Sequence, residues 1–160
     1  RSAAFLLTAA AGGNHYLPAL RAEPERFEPN SRERLLAGCM TPAAWYNQAQ
    51  RFRAWFRDRV LPLFDDVDLL IAPATPCCAT PIGQESIRLN GADLPTKASM
   101  GILAQPISFL GLPVVTVPLK SRSGLPIGVQ LIGAPWQEAR CLQAAWRLEQ
   151  AGVLYQQENI

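Results

Sequence analysis

The stretch Val114–Gly133, VVTVPLKSRSGLPIGVQLIG, holds two apolar runs separated by a short polar segment. Val114–Val117 stands between two prolines, and Ile127–Ile132 follows the turn-forming residues Ser121–Gly124. Apolar runs of this length bounded by Pro and Gly are typical of buried strands, and a short turn between them favours antiparallel pairing. The sequence therefore predicts a β-hairpin here.

A further apolar run upstream, Val67–Ala72, ends at Pro73 and predicts another buried strand. Residues 73–98 are rich in proline and show no periodicity, so we expect a long loop there. Residues 99–112 are mildly apolar and fit either a helix or a buried connection.

The first helix is expected over residues 2–11, with Gly12-Gly13 as its C-cap and a loop over residues 14–30. Asn30 or Ser31 is expected to cap a short helix that runs through Ala37, with Gly38 ending it.

Two amphipathic helices complete the pattern. One is capped by Thr41, with Pro42 at its first position, and its apolar face is predicted to pack on the sheet. The other runs from Trp136 to Ala151 and is capped by Gly152. The inward positions are Trp45, Ala49, Phe52, Phe56, Val60 and Leu63 in the first, and Cys141, Leu142, Ala145 and Leu148 in the second.

Alternating strands and helices in 160 residues predict an α/β fold, with a mixed sheet flanked by helices. The net charge of +2 does not favour a nucleic-acid partner, and no apolar run is long enough to span a membrane. The four cysteines lack metal or redox spacing, and there is one histidine. We therefore expect reduced thiols, a cytoplasmic protein, and no metal or organic cofactor.

Three stretches together resemble the amidase signature family. They are Asp68–Pro76 (DLLIAPATP), Gln105–Pro113 (QPISFLGLP) and Gly124–Gly133 (GLPIGVQLIG). Their order and spacing match the family, and the resemblance covers essentially the whole chain. Trp45-Tyr46 before an Arg-rich helix, and Ala134-Pro135-Trp136, are similar to the carboxybiuret hydrolase branch.

The resemblance implies amide hydrolysis by a Ser–Ser–Lys triad that lies upstream of the matched stretches. This chain has no corresponding Gly/Ser-rich segment, and Lys97 and Lys120 do not match the family lysine. We therefore interpret residues 1–160 as one C-terminal segment of an amidase domain, with no catalytic residue of its own and inactive alone.

The resemblance to the A subunits of amidotransferases places a substrate-carboxylate-binding arginine at Arg34. At a helix start, its guanidinium and the helix dipole would both favour an anion; the alternative is a solvated surface arginine beside Arg32. Gly101 stands where those subunits have an aspartate that binds the substrate ammonium group. A glycine cannot do so, which favours an amide that lacks an amino group.

Gln105 and Ser108 flank an otherwise apolar run and are predicted to line the substrate pocket. The alternative is ordinary side-chain bonding to the backbone. The family usually has asparagine at the position of Ser108, which makes that residue a departure from the pattern.

The expected function of the parent enzyme is hydrolysis of a small carboxylated amide of the urea or biuret type, with this segment forming a wall of the substrate site. Two alternatives remain: a glutamine-hydrolysing amidotransferase component that releases ammonia, and a non-catalytic binding or scaffold module. The implied partners are the amide substrate, the rest of the amidase domain, and either a small amidotransferase-C-like subunit or a second copy; no nucleic acid or membrane is expected.

Overall fold

A computed structural model describes residues 1–156, which form two compact units, Arg1–Arg59 and a second unit that begins at Val60. The helices are α1 (Ser2–Ala22), α2 (Pro29–Cys39), α3 (Ala43–Val60), α4 (Thr96–Ser99), α5 (Gln105–Leu110) and α6 (Glu138–Gln150). The strands are β1 (Leu69–Pro73), β2 (Ser86–Leu89), β3 (Ala92–Pro95), β4 (Val114–Lys120) and β5 (Pro126–Gly133). Within these residues, no helix combines the length and apolar character needed to span a bilayer.

In the first unit, α1 is twice as long as the sequence suggests. It runs through Gly12-Gly13 and Pro18 and ends at Ala22, so the predicted C-cap and most of the predicted loop over residues 14–30 are wrong. The glycines serve packing instead. A Cβ on Gly13 would lie 2.6 Å from the Cys39 nitrogen and 2.7 Å from the Leu35 carbonyl oxygen.

Helix α2 meets α1 at a backbone-to-backbone contact. A Cβ on Gly38 would lie 1.9 Å from the Ala9 carbonyl oxygen, so only glycine allows this approach. The sequence predicts that Gly38 ends the helix, but it lies inside α2, which continues to Cys39. Packing between distant segments explains this glycine, and that constraint is invisible to local capping rules.

The start of α2 also differs from the prediction. Pro29 occupies the first turn, and the Glu28 carboxylate caps the helix by accepting a hydrogen bond of 2.8 Å from the Ser31 nitrogen. The predicted caps, Asn30 and Ser31, are therefore inside the helix. This capping bond is the main cause of a lowered pKa for Glu28.

Helix α3 has the predicted amphipathic sequence, but its apolar face is largely exposed. Of the predicted inward residues within it, only Ala49 is buried, while Trp45 is 60% exposed and Phe52 is 44% exposed. The prediction that Trp45 and Phe52 are buried is wrong. Amphipathicity identifies the apolar side of a helix and does not supply the surface that covers it.

The second unit is built on a three-stranded antiparallel sheet of order β1–β5–β4. The predicted hairpin is confirmed: β4 pairs with β5 from Val114 opposite Ile132 to Lys120 opposite Pro126. Strand β1 pairs with the other edge of β5. The α/β class is confirmed, and every strand pairing among residues 1–156 is antiparallel.

Residues 73–98 are not a structureless loop, since β2 and β3 form a hairpin there. Asn90 and Gly91 make the turn, both with positive φ (49° and 83°). Two consecutive left-handed residues are what a tight hairpin turn requires, and Asn-Gly is a strong signal for it. The proline-rich flanks masked that signal.

Helix α6 packs on β4 and β5 and supplies the fully buried Cys141. A Cβ on Gly133 would lie 2.8 Å from the Cys141 Sγ, so the last residue of β5 must be small. Leu142, predicted to point inward, is 60% exposed. Gly152, with φ of 68°, lies just after the helix, and its nitrogen donates to Glu149, as predicted for a cap.

Candidate functional site

Arg34 lies on the side of α2 that faces α1. Its Nη2 donates a hydrogen bond of 3.1 Å to Thr8 Oγ1, and its guanidinium carbon stands 4.9 Å from the centroid of the Phe5 ring. Arg34 is exposed, and among residues 1–156 no carboxylate forms an ion pair with it. The side chain is thus held in place while most of its five N–H donors remain available to an anion.

The position of Arg34 in its helix differs from the prediction. Because α2 begins at Pro29, Arg34 lies in the second turn. The helix dipole acts mainly on groups at the first turn, so it adds little to anion binding at Arg34. The case for Arg34 therefore depends on its guanidinium and on the two α1 side chains that hold it.

Thr8 and Phe5 were not among the predicted site residues. Thr8 Oγ1 also lies 3.0 Å from the carbonyl oxygens of Ala4 and Phe5, so its proton stays on α1 and a lone pair accepts from Arg34. Thr8 and Arg34 are 26 positions apart, and only the crossing of α1 and α2 brings them together. No local sequence signal predicts that pair.

The second unit brings Gly101 and Gln105 together. The Gln105 nitrogen donates to the Gly101 carbonyl oxygen at 2.9 Å, and a Cβ on Gly101 would lie 3.7 Å from Gln105 Cγ. Ser108 follows Gln105 by three positions on α5, so the two share a helix face. Gln105 is half-buried and Ser108 is exposed, which leaves both accessible to a ligand.

The backbone does not require glycine at position 101. Gly101 is not among the residues with positive φ, and the nearest atoms to an added Cβ are at ordinary van der Waals distance. A Cβ at this position would therefore fit beside Gln105 without displacing the backbone.

The GLPIGVQLIG stretch has a structural role at the end of β1. Gln130 is 3% exposed and its Nε2 donates a hydrogen bond of 2.9 Å to the Pro73 carbonyl oxygen. A Cβ on Gly128 would lie 3.0 Å from the Ala74 Cβ and 3.1 Å from Thr116 Cγ2, so the chain after β1 packs tightly against this glycine. These residues fix the path of the backbone where it leaves the sheet.

None of the four cysteines forms a disulfide. Cys77 and Cys78 are both half-buried. Hydroxyl groups of Ser121 and Ser123 lower the pKa of Cys78, and Ser123 Oγ lies 3.7 Å from its Sγ. Within residues 1–156, no three His, Cys, Asp or Glu side chains are grouped as a metal site would require.

Each unit has open clefts of its own. In the first unit, a cleft of about 500 Å³ is bordered by Phe5, Leu6 and Ala9 of α1 and by Met40 and Trp45. The Phe5 ring also makes the cation–π contact with the Arg34 guanidinium, so Phe5 is shared by this cleft and by Arg34. In the second unit, a cleft of about 440 Å³ is bordered by residues of β2, by the Cys77–Cys78 segment and by Ser123.

A sequence profile of the family described as Amidase matches residues 8–142. The chain belongs to the amidase family. The match includes Arg34, Gly101, Gln105 and Ser108, and it confirms the resemblance derived from the three sequence stretches. The roles of those four residues remain predictions.

The amidase-family relatives include the 1-carboxybiuret hydrolase subunit AtzE of Pseudomonas sp. (strain ADP). It is 50% identical over 155 residues, which are 96% of this chain and 34% of that protein. The A subunit of the glutamyl-tRNA(Gln) amidotransferase of Roseobacter denitrificans is 33% identical over 138 residues, 82% of this chain and 27% of that protein. The chain thus spans about a third or less of the length of these curated relatives.

Solved structures of amidase-family members have the same fold. One is an inhibitor-bound structure, described as a vestigial protein complex that reveals the evolutionary origins of an s-triazine catabolic enzyme. It superposes with a TM-score of 0.89 at 50% sequence identity, and the match covers 96% of this chain and 34% of that chain. A crystal structure of an amidase gives a TM-score of 0.81 at 30% identity, covering 88% of this chain and 32% of that one. The first of these structures is described as a catabolic enzyme and the second as an amidase.

Proposed function

We propose that this chain is the C-terminal part of an amidase-family hydrolase that cleaves a C–N bond of a small carboxylated amide of the urea or biuret type. The observation that carries the proposal is the 50% identity, over 96% of the chain, to a 1-carboxybiuret hydrolase subunit. The chain contributes a wall of the substrate site, and the nucleophile and base come from another part of the enzyme.

In this proposal, Arg34 binds the substrate carboxylate. Its guanidinium is planar and permanently charged, and Thr8 and Phe5 hold it in one orientation. A carboxylate accepts two parallel hydrogen bonds from such a group, which is stronger and more specific than contact with a neutral donor. The absence of an ion-paired carboxylate among the described residues leaves the guanidinium ready for a substrate anion.

Gly101 supports a substrate without an ammonium group. The backbone at this position accepts a Cβ beside Gln105, yet the residue is glycine, so it offers no anionic partner to a cation. Glutamine carries an ammonium group that needs such a partner. The same glycine therefore weighs against the amidotransferase alternative, which the 33% identity to the Roseobacter amidotransferase component otherwise favours.

The experiment is a chimaera in which this chain replaces the aligned third of the Pseudomonas 1-carboxybiuret hydrolase subunit. The chimaera is produced together with the other subunits of that enzyme and assayed on 1-carboxybiuret and on glutamine. We expect hydrolysis of 1-carboxybiuret only, and no activity from the 160-residue chain alone. Activity on glutamine would support the amidotransferase alternative, and a folded chimaera that is inactive on both would support the scaffold alternative.

Two variants of the chimaera test Arg34. Arg34→Ala is expected to lower kcat/KM for 1-carboxybiuret by about 2–4 kcal/mol of transition-state stabilisation, and Arg34→Lys to restore only part of it. Arg32→Ala is the matched control, since it removes a neighbouring guanidinium from the same helix. Equal losses in the two alanine variants would contradict a specific role for Arg34.

Gly101 is tested with an isosteric pair. Gly101→Asp is expected to lower kcat/KM for 1-carboxybiuret more than Gly101→Asn, because only the first places a negative charge near an anionic substrate. Similar losses in the two variants would mean that volume alone matters at this position.

A further inference from the structure

Two sulfur atoms join the chain after β1 to the segment that holds Gly101 and Gln105. The Cys77 thiol donates to the Met100 sulfur at 3.9 Å, and the two residues are 23 positions apart. Both side chains are half-buried, and Met100 directly precedes Gly101. A methionine side chain is flexible and polarizable, so it adapts to the surface on which it packs. Met100 therefore links Gly101 to the chain around Cys77.

The Cys77 side of this contact is fixed to the sheet. Where the chain leaves β1, Gln130 Nε2 of the central strand donates to the Pro73 carbonyl oxygen at 2.9 Å. Gln130 is 3% exposed, and a hydrogen bond so far from water is costly to break. Further along, Thr75 Oγ1 donates to the Cys77 carbonyl oxygen at 2.8 Å. Cys77 thus presents its thiol from a segment with a defined path.

The Met100 side of the contact is joined directly to the candidate site. The Met100 nitrogen donates to the Thr96 carbonyl oxygen at 3.1 Å. The next carbonyl oxygen, that of Gly101, accepts from the Gln105 nitrogen at 2.9 Å. Because the peptide group between Met100 and Gly101 is rigid, a displacement of Met100 also moves Gly101. The hydrogen bond between Gly101 and Gln105 therefore depends on where Met100 packs.

We propose that Cys77 and Met100 are positioning residues for the substrate site, because their contact holds Gly101 and Gln105 in place. The inference rests on the proposed function, since it takes Gly101 and Gln105 as residues of that site. Cys77 and Met100 act through them and not by contact with the substrate. Both residues lie in the second unit, so their contact is complete within this chain.

The test is a double-mutant cycle in the chimaera with the 1-carboxybiuret hydrolase subunit, with circular dichroism to verify folding. Cys77→Ala and Met100→Ala are each expected to raise KM for 1-carboxybiuret about three- to tenfold while kcat changes less than about twofold, because substrate binding is weakened and the nucleophile and base are untouched. The double variant is expected to resemble either single one, since each removes the same contact. Additive losses in the double variant would overturn the proposal.

Two variants serve as matched controls. Met100→Leu keeps the volume that packs on Cys77 and is expected to restore KM to near the wild-type value. Cys78→Ala removes the adjacent thiol, whose Sγ lies 3.9 Å from the Leu125 carbonyl oxygen, and is expected to leave KM within about twofold of wild type. A lower kcat with an unchanged KM in the alanine variants at 77 and 100 would indicate a smaller folded fraction, and it too would overturn the proposal.

Amide hydrogen exchange of the same chimaeras measures positioning without any substrate. The Ile102 and Gln105 nitrogens donate hydrogen bonds within the segment, at 3.1 Å and 2.9 Å. Cys77→Ala is expected to make both amides exchange at least about threefold faster, because the segment opens more often once its contact is lost. Cys78→Ala is expected to leave their exchange unchanged.

The exchange result separates this inference from the proposed function. Unchanged exchange in Cys77→Ala would overturn the inference whatever the kinetics show, and faster exchange with an unchanged KM would overturn it as well. A wild-type chimaera that is inactive on 1-carboxybiuret would count against the proposed function, and exchange alone would then decide whether Cys77 holds the segment of Gly101 and Gln105.

Discussion

Arg34 of α2 donates to the hydroxyl of Thr8 on α1 across the contact between the two helices, at 3.1 Å. The same hydroxyl donates its proton to carbonyl oxygens in the preceding turn of α1. Its oxygen therefore keeps a lone pair that accepts the hydrogen bond from Arg34. A long, flexible side chain is in this way held at its far end by a short, rigid one. Orientation of Arg34 therefore depends on how closely α1 and α2 approach.

Removal of the Thr8 hydroxyl tests this dependence. In the chimaera with the 1-carboxybiuret hydrolase, Thr8→Val is expected to raise KM about three- to tenfold with a smaller change in kcat, because one hydrogen bond of about 1 kcal/mol is lost. Thr8→Ser keeps the hydroxyl and is the matched control, expected to stay near wild type. A loss in Thr8→Ser as large as in Thr8→Val would assign the effect to packing of the methyl group.

The hairpin of β4 and β5 and the α/β class were predictable because the information is local. Apolar runs, bounding prolines and a Ser-Arg-Ser-Gly turn lie next to one another in the chain. The candidate site was predictable only as far as family resemblance reaches. Arg34 and Gly101 come from that resemblance, whereas Thr8 and Phe5 come from a helix crossing that no local pattern encodes.

The glycines of the first unit show why the ends of α1 and α2 were predicted wrongly. Gly12, Gly13 and Gly38 have the position of helix stops in the sequence, yet all three lie inside helices. Each of these glycines allows close contact with a segment more than 20 positions away. A capping rule considers only neighbouring residues, so it cannot predict such a contact. In contrast, the Asn90-Gly91 turn carried a usable local signal that the surrounding prolines obscured.

Substitution of Gly38 tests the close contact of α1 and α2. Gly38→Ala is expected to destabilise the chain by about 3 kcal/mol or more, because the new methyl group would overlap the Ala9 carbonyl oxygen and the helices must separate. Gly12→Ala is the matched control. Its nearest contact is the end of the Leu35 side chain, which can move, so its free energy of unfolding is expected to stay within about 1 kcal/mol of wild type. Urea titration measures both, and equal costs would contradict the crossing geometry.

Exposure of the apolar face of α3 has a direct consequence for stability. Phe52→Ala is expected to cost about 1 kcal/mol or less in the free energy of unfolding, because Phe52 is 44% exposed. Leu131→Ala in the central strand is the comparison, with an expected cost of about 2–5 kcal/mol, because Leu131 is 1% exposed. The measurement is urea unfolding of the wild type and of both variants. A cost for Phe52 that equals that for Leu131 would mean that α3 is covered within the chain itself.

The cysteines provide a test of the second unit that needs no substrate. Hydrogen bonds from Ser121 and Ser123 lower the pKa of Cys78, whereas burial beneath the sheet raises the pKa of Cys141. Because the thiolate is the nucleophile, alkylation of Cys78 by iodoacetamide is expected to reach half its maximal rate at a lower pH than alkylation of Cys141. Cys141, which is fully buried, should also react far more slowly at every pH. Peptide mass spectrometry after timed labelling across a pH series measures the two sites in one sample.

The serine hydroxyls are tested by Ser123→Ala. Loss of this donor is expected to move the alkylation midpoint of Cys78 to higher pH, since the thiolate loses a hydrogen bond that favours the charged form. Cys141 serves as the internal control, because it lies on α6, bonded to the Pro113 carbonyl oxygen and not to the serine turn, and its midpoint should not change. An unchanged midpoint for Cys78 would mean that the Ser121–Ser123 turn does not stabilise the thiolate, and a parallel shift in both cysteines would indicate that the substitution had loosened the sheet as a whole.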